Sequence, residues 1–484
     1  MKNFYKYILL ITGFCCVNTN SYSQGVNTLY FLENAPMRHI INPAFQPVSN
    51  LYISLPIIGY TNINIGNNAL TLQDLVFTDA NGNTITALHP DAEGELWNKL
   101  PQLININTNL NLNLLSFGAR VAKDKGYFHI NVSEHIDANL GIPKYTFGPL
   151  LGQSLNDLNL NSLNLSASIY TEIALGYSHQ INTNWAVGGK LKLLLGHALM
   201  DGKFDELNLK SNTESTRLYG DGNFLVGGIL NTTILNSLVQ GTSLPDNYIQ
   251  DQLIEDLKTL NLGCAIDLGV TYTPIKYLQI SASVTDLGFI HWKKGEQVKI
   301  EMDTTFIGLD DMKYDNYIDQ NGEFQSDLFI NDASNQLLGY LDALHIQAPT
   351  HKPFNRLLTA KINLGIDANI WKNRIGLGVY SRTHIHDTHV SEEITLGAAF
   401  RPIRCLHLAA SYSFFNGRGS NIGAAISVAP YDGVMLTAIA DYIPLSFAEH
   451  LVNEQSILIP YNTGNINIAL GIAIVIGTSK KIKK

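Results

Sequence analysis

Apolar and polar residues alternate with a period of two along most of this chain of 484 residues. Successive side chains of a β-strand point to opposite faces, so a strand with this pattern has one apolar and one polar face. The segment that starts at Asn465 shows the pattern most clearly. Its apolar face carries Ile466, Ile468, Leu470, Ile472, Ile474 and Ile476, and its other face carries Asn465, Asn467, Ala469, Gly471 and Ala473.

Similar segments recur from end to end and predict about 14 strands, with an uncertainty of about two. Several run for ten residues or more, whereas strands of soluble proteins average about 5–6 residues and membrane-spanning strands need about 9–11. The pattern therefore predicts an all-β fold, a transmembrane antiparallel β-barrel. The segments begin near Leu51, Ile104, Phe128, Leu163, Trp185, Leu262, Leu278, Leu358, Ile375, Ile394, Leu406, Ile422, Val434 and Asn465.

The two faces differ in their chemistry. The apolar faces carry almost no charge, as a lipid-facing band requires, while the polar faces carry mainly Asn, Ser, Gly and Ala. We interpret the polar faces as the lining of a crowded or water-filled lumen. Isolated charges on them are Glu172, Lys190, Lys192, Asp267, Lys361 and Asp367. Aromatic residues near segment ends, where interfacial girdles would form, are Tyr127, Tyr177, Trp185, Tyr272, Trp292, Trp371 and Tyr442.

The first residues predict export. Lys2 and Lys6 precede an apolar stretch too short to span a bilayer, and two small residues around one aromatic follow at 21–23. This order is typical of a secretory signal peptide, residues 1–23, cleaved before Gln24. A buried N-terminal helix is the alternative. A lipoprotein signal at Cys15 or Cys16 is disfavoured, because a lipidation cysteine follows small residues and Phe14 is not small.

Composition narrows the class further. Charged residues make up 15% of the chain, against about 25% in typical soluble proteins. The net charge of −9 argues against nucleic acid as a partner. After residue 23 no segment approaches the ~20 apolar residues of a membrane-spanning helix. An exported chain of this kind can cross a membrane only as a closed barrel, because lipid satisfies no backbone hydrogen bonds.

Three stretches break the alternation and carry apolar residues at helical spacing: 92–103, 245–260 and 327–344. They are interpreted either as elements that line a lumen or as helices packed on a rim. The chain divides most simply into the signal peptide, an N-terminal plug-like segment (24–50), the barrel (51–478) and a basic tail (479–484). Only Cys264 and Cys405 remain after cleavage, which excludes a disulfide scaffold.

Candidate chemistry is sparse. His384, His386 and His389 lie close together and could bind zinc or copper, although a polar surface loop is the simpler interpretation. The sequence contains no G-x-S-x-G, H-E-x-x-H or C-x-x-C motif. We therefore expect neither an enzyme nor a bound cofactor.

Two short motifs carry a resemblance to known families. The sequence L-E-N-A-P at 32–36, followed by I-N-P-A-F at 41–45, resembles the start of a Bacteroidota family of outer-membrane barrels of unknown function. An Asn-Pro-Ala element also opens a barrel of the type IX secretion machinery. The sequence V-T-D-L-G-F-I at 284–290 is similar to a segment of barrels like the long-chain fatty-acid transporter.

The resemblance implies an N-terminal segment tucked into the barrel as a plug. The plug and lumen candidates are Pro36, Arg38, Asn42, Pro43 and Asp286. Asp286 interrupts the alternation and Gly288 permits a kink, so an inward bend or bulge is expected there; an ordinary strand-end turn is the alternative. The chain ends in Lys484, whereas many barrels of this kind end in an aromatic residue.

Two functions are expected for a protein of the outer membrane in contact with its lipid. One is the binding or passage of small hydrophobic molecules through an occluded lumen. The other is a non-enzymatic scaffold or accessory role with partner proteins of a secretion or adhesion complex. A soluble secreted β-protein is a third and different possibility.

Overall fold

The structure is a computed structural model, and its described residues include most of the predicted strands. The predicted signal peptide and basic tail lie outside them. The described residues are 25–68, 71, 76–78, 84–86, 95–147, 157–211, 216–239, 242–244, 247–306, 314–319, 325, 328, 331–332, 344–385, 390–415, 418–431, 433–444, 447–452, 455–460 and 464–478.

Fourteen antiparallel strands, counted over the described residues, form one closed barrel. Each strand pairs with its neighbours along the chain, and the last pairs with the first, so the predicted all-β barrel is confirmed. The strands are β1 (Ser49–Ser54 and Thr61–Asn67), β2 (Leu103–Val121), β3 (Gly126–Pro143), β4 (Asn164–Gln180), β5 (Trp185–Ser211), β6 (Asn261–Ile275), β7 (Leu278–Trp292), β8 (Ala360–Ile370), β9 (Ile375–Ile385), β10 (Val390–Ile403), β11 (Leu406–Phe415), β12 (Arg418–Tyr431), β13 (Val434–Asp441) and β14 (Asn465–Thr478).

The alternation of the sequence becomes an apolar outside and a polar inside. On β14, Ile468 is 46% exposed while the neighbouring Asn467 is 1% exposed. The outer surface is an extended apolar belt, of a size that soluble monomers rarely expose to water. Members of this belt on other strands include Ile63, Leu191, Leu268, Leu364, Leu396 and Leu436.

The two ends of the barrel differ. One end carries only short connections: 122–125, 181–184, 276–277, 371–374, 404–405 and 432–433. Two of these place three successive non-glycine residues at positive φ, Ala122 to Asp124 and Trp371 to Asn373. The other end carries the long connections, among them 68–102, 212–260, 293–359 and 442–464. We call these the turn end and the loop end.

At the loop end the wall continues as a small sheet. The far half of β5 pairs with Thr216–Gly228, which pairs in turn with Glu296–Phe306. Leu207, Phe224 and Val298 belong to the apolar cluster on one side of this sheet. The alternation pattern did not predict either added strand.

Helices occupy two of the three predicted stretches. Glu95–Lys99 and Tyr248–Thr259 are α-helices, as expected, while most of 327–344 lies outside the described residues. A further helix, Thr232–Val239, was not predicted. No helix in the described part of the chain is both long enough and apolar enough to cross a membrane.

The aromatic residues near strand ends divide into two groups. Trp371 is 61% exposed, and Trp185 stacks on Tyr272 at the turn end with ring centroids 4.3 Å apart. Tyr127, Trp292 and Tyr442 are at most 2% exposed, so the expectation that they belong to an outer girdle was wrong. The pleat directs Tyr127 and Trp292 inward, and Tyr442 donates a hydrogen bond to Glu393.

Residues 25–48, the N-terminal segment, lie inside the barrel at its turn end. The segment forms two short 3₁₀ helices, Thr28–Phe31 and Pro36–Ile40, that satisfy part of its backbone internally. Pro36 occupies the first turn, where its fixed φ and missing N–H are tolerated. Leu29, Phe31 and Leu32 belong to the main apolar cluster, packed with inward-facing wall residues.

The seat of the N-terminal segment can be tested at two adjacent glycines of β5. A Cβ atom on Gly188 would overlap the carbonyl group of Pro43, whereas a Cβ on Gly189 would meet its nearest neighbour at 3.6 Å. We expect Gly188→Val to displace the segment and expose it to limited proteolysis, and Gly189→Val to leave it protected. Equal protection in the two variants would contradict the packing described here.

Candidate functional site

The N-terminal segment is fixed to the wall first through Thr28. Its backbone N–H donates to Asp441 Oδ2 at 3.2 Å, and its hydroxyl lies 2.6 Å from Ser411 Oγ and also donates to Asp441. Asp441 belongs to β13 and Ser411 to β11. Two strands therefore hold the start of the segment through polar contacts that lie away from water.

Tyr30 and Glu33 continue this attachment on the neighbouring strands of the wall. The Tyr30 hydroxyl donates to Asp367 Oδ1 at 2.9 Å, and its ring stacks on Tyr380 with centroids 4.7 Å apart. Glu33 forms an ion pair with Arg401 at 3.2 Å. Since Asp367, Tyr380 and Arg401 come from three consecutive strands, β8 to β10, the segment bridges neighbouring parts of the wall.

The four predicted plug residues all lie within this segment. Pro36 starts the second 3₁₀ helix, and the Arg38 guanidinium lies over the Phe45 ring, 4.2 Å from its centroid. The Asn42 amide donates to the backbone carbonyls of Val270 at 3.3 Å and Ala282 at 3.1 Å. These contacts join the segment to β6 and β7.

A histidine pair holds the segment on the opposite side. The His39 ring stacks on the His129 ring of β3, with centroids 4.2 Å apart, and His39 Nε2 lies 2.8 Å from the Tyr52 hydroxyl. Burial lowers the pKa of His39 well below its ordinary value, and the proximity of His129 lowers this pKa further. His39 is therefore neutral at physiological pH. A neutral ring avoids placing a positive charge against the ring of His129.

Beyond the segment, towards the loop end, six charged side chains meet in the lumen. Lys192 Nζ lies 3.0 Å from Asp267, 3.2 Å from Glu172 and in direct contact with Asp286. Three lysines and three carboxylates balance, which offsets the cost of burying each charge. The members of this ionic cluster are Glu172, Lys190, Lys192, Asp267, Asp286 and Lys361.

Asp286 reaches the cluster because β7 bulges at this residue. The β6–β7 register shifts between Ile266 and Leu268, and Asp286 has φ 61. The Asp286 N–H leaves the regular ladder and donates to Asp267 Oδ1 at 2.8 Å. Lys361 Nζ lies 2.7 Å from the Asp286 carboxylate. The interruption expected at Asp286 is thus a β-bulge within the wall.

The bulge exchanges the two faces of β7. Before it, Ser281, Ser283 and Thr285 are buried in the lumen; after it, Ile290 and Trp292 are buried and Leu287 is 55% exposed. The inserted residue changes the lumen-facing positions from odd to even numbers. This change brings two large apolar side chains into the lumen.

Above the ionic cluster lies a cavity of 890 Å³ that is open towards the loop end. Its volume is in the range of small-molecule sites. Asparagines of β1 to β3 line one side, and apolar residues of β5 and β7 line another. Its lining includes Asn62, Asn105, Asn107, Asn109, Asn111, Asn139, Leu199, Leu225, Asp286, Ile290, Trp292, Leu358, Lys361 and His384.

Strand β5 shows how the lumen is layered. Gly188 contacts the N-terminal segment at Pro43, Lys190 and Lys192 belong to the ionic cluster, and Leu199 lines the cavity. The lumen thus holds three layers from the turn end to the loop end: the segment, the charges and the cavity. Residues of the segment do not line the cavity in the described part of the chain.

The predicted metal candidates are only partly described. His384 is 5% exposed on β9 and lines the cavity, whereas His386 and His389 lie outside the described residues. Within the described ranges, no group of three or more His, Cys, Asp or Glu side chains could hold a metal ion. The candidate site of this protein is therefore the layered lumen.

Sequence reasoning noted five of the cluster residues as isolated lumen charges and Asp286 as a plug and lumen candidate. Their assembly was missed, because partners such as Lys192 and Asp286 are 94 residues apart in the chain. The sequence signal that could have predicted the cluster was that each of these charges lies on the inward face of its own strand. Strand order then places these positions on neighbouring strands or across the lumen.

Residues 43–441 match the model of a family of unknown function, DUF5723. The chain belongs to this family. The match covers most of the barrel, and the expected membership in a family of unknown function is confirmed. No curated protein matches the chain in sequence.

Several solved transporter barrels are similar to this DUF5723 chain at low identity. The toluene transporter TbuX of Ralstonia pickettii is 8% identical, with TM-score 0.44 over 91% of this chain and 94% of that one. The toluene transporter TodX of Pseudomonas putida is 10% identical, with TM-score 0.41 over 95% and 96%. A FadL homologue of Pseudomonas aeruginosa is 11% identical, with TM-score 0.43 over 91% and 94%.

The ionic cluster predicts a large stability cost for removing one charge. Lys192→Met would leave Asp267, Asp286 and Glu172 with too few cations, and we expect a loss of about 3–5 kcal/mol in unfolding free energy. The control is Lys203→Met on the same strand, whose side chain is 69% exposed; its expected effect is within about 0.5 kcal/mol. Denaturant unfolding in detergent micelles measures both. Equal stability of the two variants would show that the cluster is solvated.

Proposed function

We propose that this protein is an outer-membrane β-barrel that binds small hydrophobic molecules in the lumen and passes them when the N-terminal segment moves. The apolar belt on the outer surface supports the membrane location, because water would leave so many large side chains unfavourably solvated. The predicted signal peptide supports export across the inner membrane.

The observation that carries the binding function is the apolar side of the cavity. Leu199, Ile290 and Trp292 are among the residues that line this side, where a small molecule that enters from the loop end would pack. The layers below the cavity, the ionic cluster and the N-terminal segment, fill the lumen. The ionic cluster and the N-terminal segment then block straight passage to the turn end. Passage therefore requires the segment to leave its seat, while binding does not.

A disulfide can test whether the segment must move. The hydroxyls of Thr28 and Ser411 lie 2.6 Å apart, so cysteines at these positions would place two thiols next to each other for oxidation to a disulfide. The test uses Thr28→Cys with Ser411→Cys in a chain where the exposed Cys264 and Cys405 are alanine. We expect cells carrying the reduced variant to take up the apolar dye N-phenyl-1-naphthylamine, and oxidation to stop uptake.

The single variant Thr28→Cys, which cannot form the bond, is the control for oxidation itself. If the double-cysteine variant shows high and equal uptake in both redox states, movement of the segment is contradicted. Uptake at the level of cells without the protein, in both states, would contradict passage altogether.

A second function, a scaffold role in a secretion or adhesion complex, is favoured by the sheet at the loop end. One side of this sheet packs in an apolar cluster. The sheet also carries exposed ion pairs that a partner protein could contact, such as Arg217 with Asp303 at 2.6 Å and Lys299 with Asp221 at 3.5 Å. Such a charged surface suits a transient protein partner.

The scaffold role predicts a partner that depends on this charged surface. Arg217→Glu places two like charges beside each other, and we expect it to abolish recovery of the partner in a cross-linked pull-down from outer membranes. Lys276→Glu, an exposed change at the turn end, should recover the partner normally. Recovery that is the same with both variants would count against docking at this sheet.

A further inference from the structure

One side of the cavity is a dense surface of side-chain amides. Strands β1, β2 and β3 place six asparagines there, which we call the asparagine wall. Cross-strand pairing brings them together, since Asn62 lies opposite Asn111 and Asn107 lies opposite Asn139. The wall consists of Asn62, Asn105, Asn107, Asn109, Asn111 and Asn139.

The amides of the wall are held in fixed orientations. Asn64 Nδ2 donates to Asn109 Oδ1 at 3.1 Å, and Asn109 Nδ2 donates to Asp137 Oδ1 at 2.7 Å. A chain of hydrogen bonds thus runs across three strands and ends on a carboxylate. A surface oriented in this way is preorganised to meet a ligand.

Part of the wall's hydrogen-bonding capacity is unused by the protein. Asn62 and Asn111 line the cavity, and their amide oxygens are buried and accept no hydrogen bond from the described residues. Asn62 is only 6% exposed, so its oxygen is a buried acceptor. Buried polar groups are normally hydrogen-bonded, so these two oxygens leave a hydrogen-bonding capacity that the described residues do not use.

The cations around the cavity do not offer a free site for an anionic ligand. Each cation that lines it lies beside a carboxylate: Lys203 at 4.0 Å from Asp205, Arg356 at 3.3 Å from Asp201, and Lys361 at 2.7 Å from Asp286. A carboxylate or phosphate headgroup would have to compete with these partners. The lining therefore favours a neutral polar group over an anionic one.

We propose that the asparagine wall recognises a neutral polyhydroxylated group, a sugar, whose apolar attachment lies against Ile290 and Trp292. This proposal rests on the proposed function, because it names the ligand class of the same cavity. Each sugar hydroxyl both donates and accepts a hydrogen bond, and each asparagine amide does the same through its two ends. A purely hydrocarbon ligand would remove water from the amides without replacing their hydrogen bonds.

Three probes separate the two parts of the ligand. Dodecyl maltoside carries sugar and chain, maltose carries the sugar alone, and laurate carries a similar chain with an anionic head. Binding to the full-length protein in lipid nanodiscs is measured by titration calorimetry, with empty nanodiscs as the partition background. We expect dodecyl maltoside to bind at least tenfold more tightly than laurate.

Variants of the wall locate the sugar contact. Asn62→Leu and Asn111→Leu should each weaken dodecyl maltoside binding about tenfold and leave laurate binding equal or stronger. Asn111→Ser, which keeps a hydrogen-bonding group, should recover part of the loss. The matched control is Asn50→Leu, an exposed asparagine at the turn end of β1, which should bind all three probes as the original chain does. Heat-dependent gel mobility confirms that each variant is folded.

The outcomes distinguish this proposal from the proposed function. Laurate binding as tight as that of dodecyl maltoside, unaffected by the wall variants, overturns the sugar proposal and leaves hydrophobic binding intact. Failure of every probe to bind overturns both. Maltose binding as tight as that of dodecyl maltoside supports sugar recognition and identifies a free saccharide as the source; much weaker maltose binding identifies a glycolipid-like source.

Discussion

The closure of the wall is the constraint on which the rest of this structure depends. Once β14 pairs with β1, every strand has two hydrogen-bonded neighbours, which lipid surroundings require because lipid satisfies no backbone groups. Closure also fixes which side chains face inward, since the pleat alternates strictly and the register cannot slip without exchanging the faces. The polar lumen and the apolar belt are therefore two consequences of one hydrogen-bonded ring.

A ring of this size creates an interior that wall side chains do not fill. Barrels of about 8 strands are filled by their own side chains, and larger ones enclose a space. Here the N-terminal segment occupies the turn end, where it buries Leu29 and Leu32. The ionic cluster fills the next layer, and its balanced charges make burial tolerable. The cavity is the part of the interior that neither layer occupies.

The sequence predicted the wall well because alternation is a local signal. The strands from Asn261 to Thr478 follow it closely, and the bulge lies at Asp286, where the alternation is interrupted. The content of the lumen depends on contacts between distant residues, and no local pattern encodes them. Tyr30 reaches Asp367, 337 residues away, and Trp292 was assigned to an outer girdle because its inward position depends on the bulge before it. The strands added at the loop end were missed for a similar reason, since they pair with each other and with β5 outside the ring.

The bulge at Asp286 connects the stability of the lumen with its chemistry. A non-glycine residue at positive φ is uncommon, and it persists where its surroundings hold it. Here Lys192 and Lys361 bind the carboxylate and Asp267 accepts the N–H. The same inserted residue turns Ile290 and Trp292 into the cavity, opposite a wall of amides. The buried charges thus maintain the local geometry that makes one side of the cavity apolar. The proposed site for an amphipathic ligand therefore depends on an ionic cluster that need not contact the apolar part of that ligand.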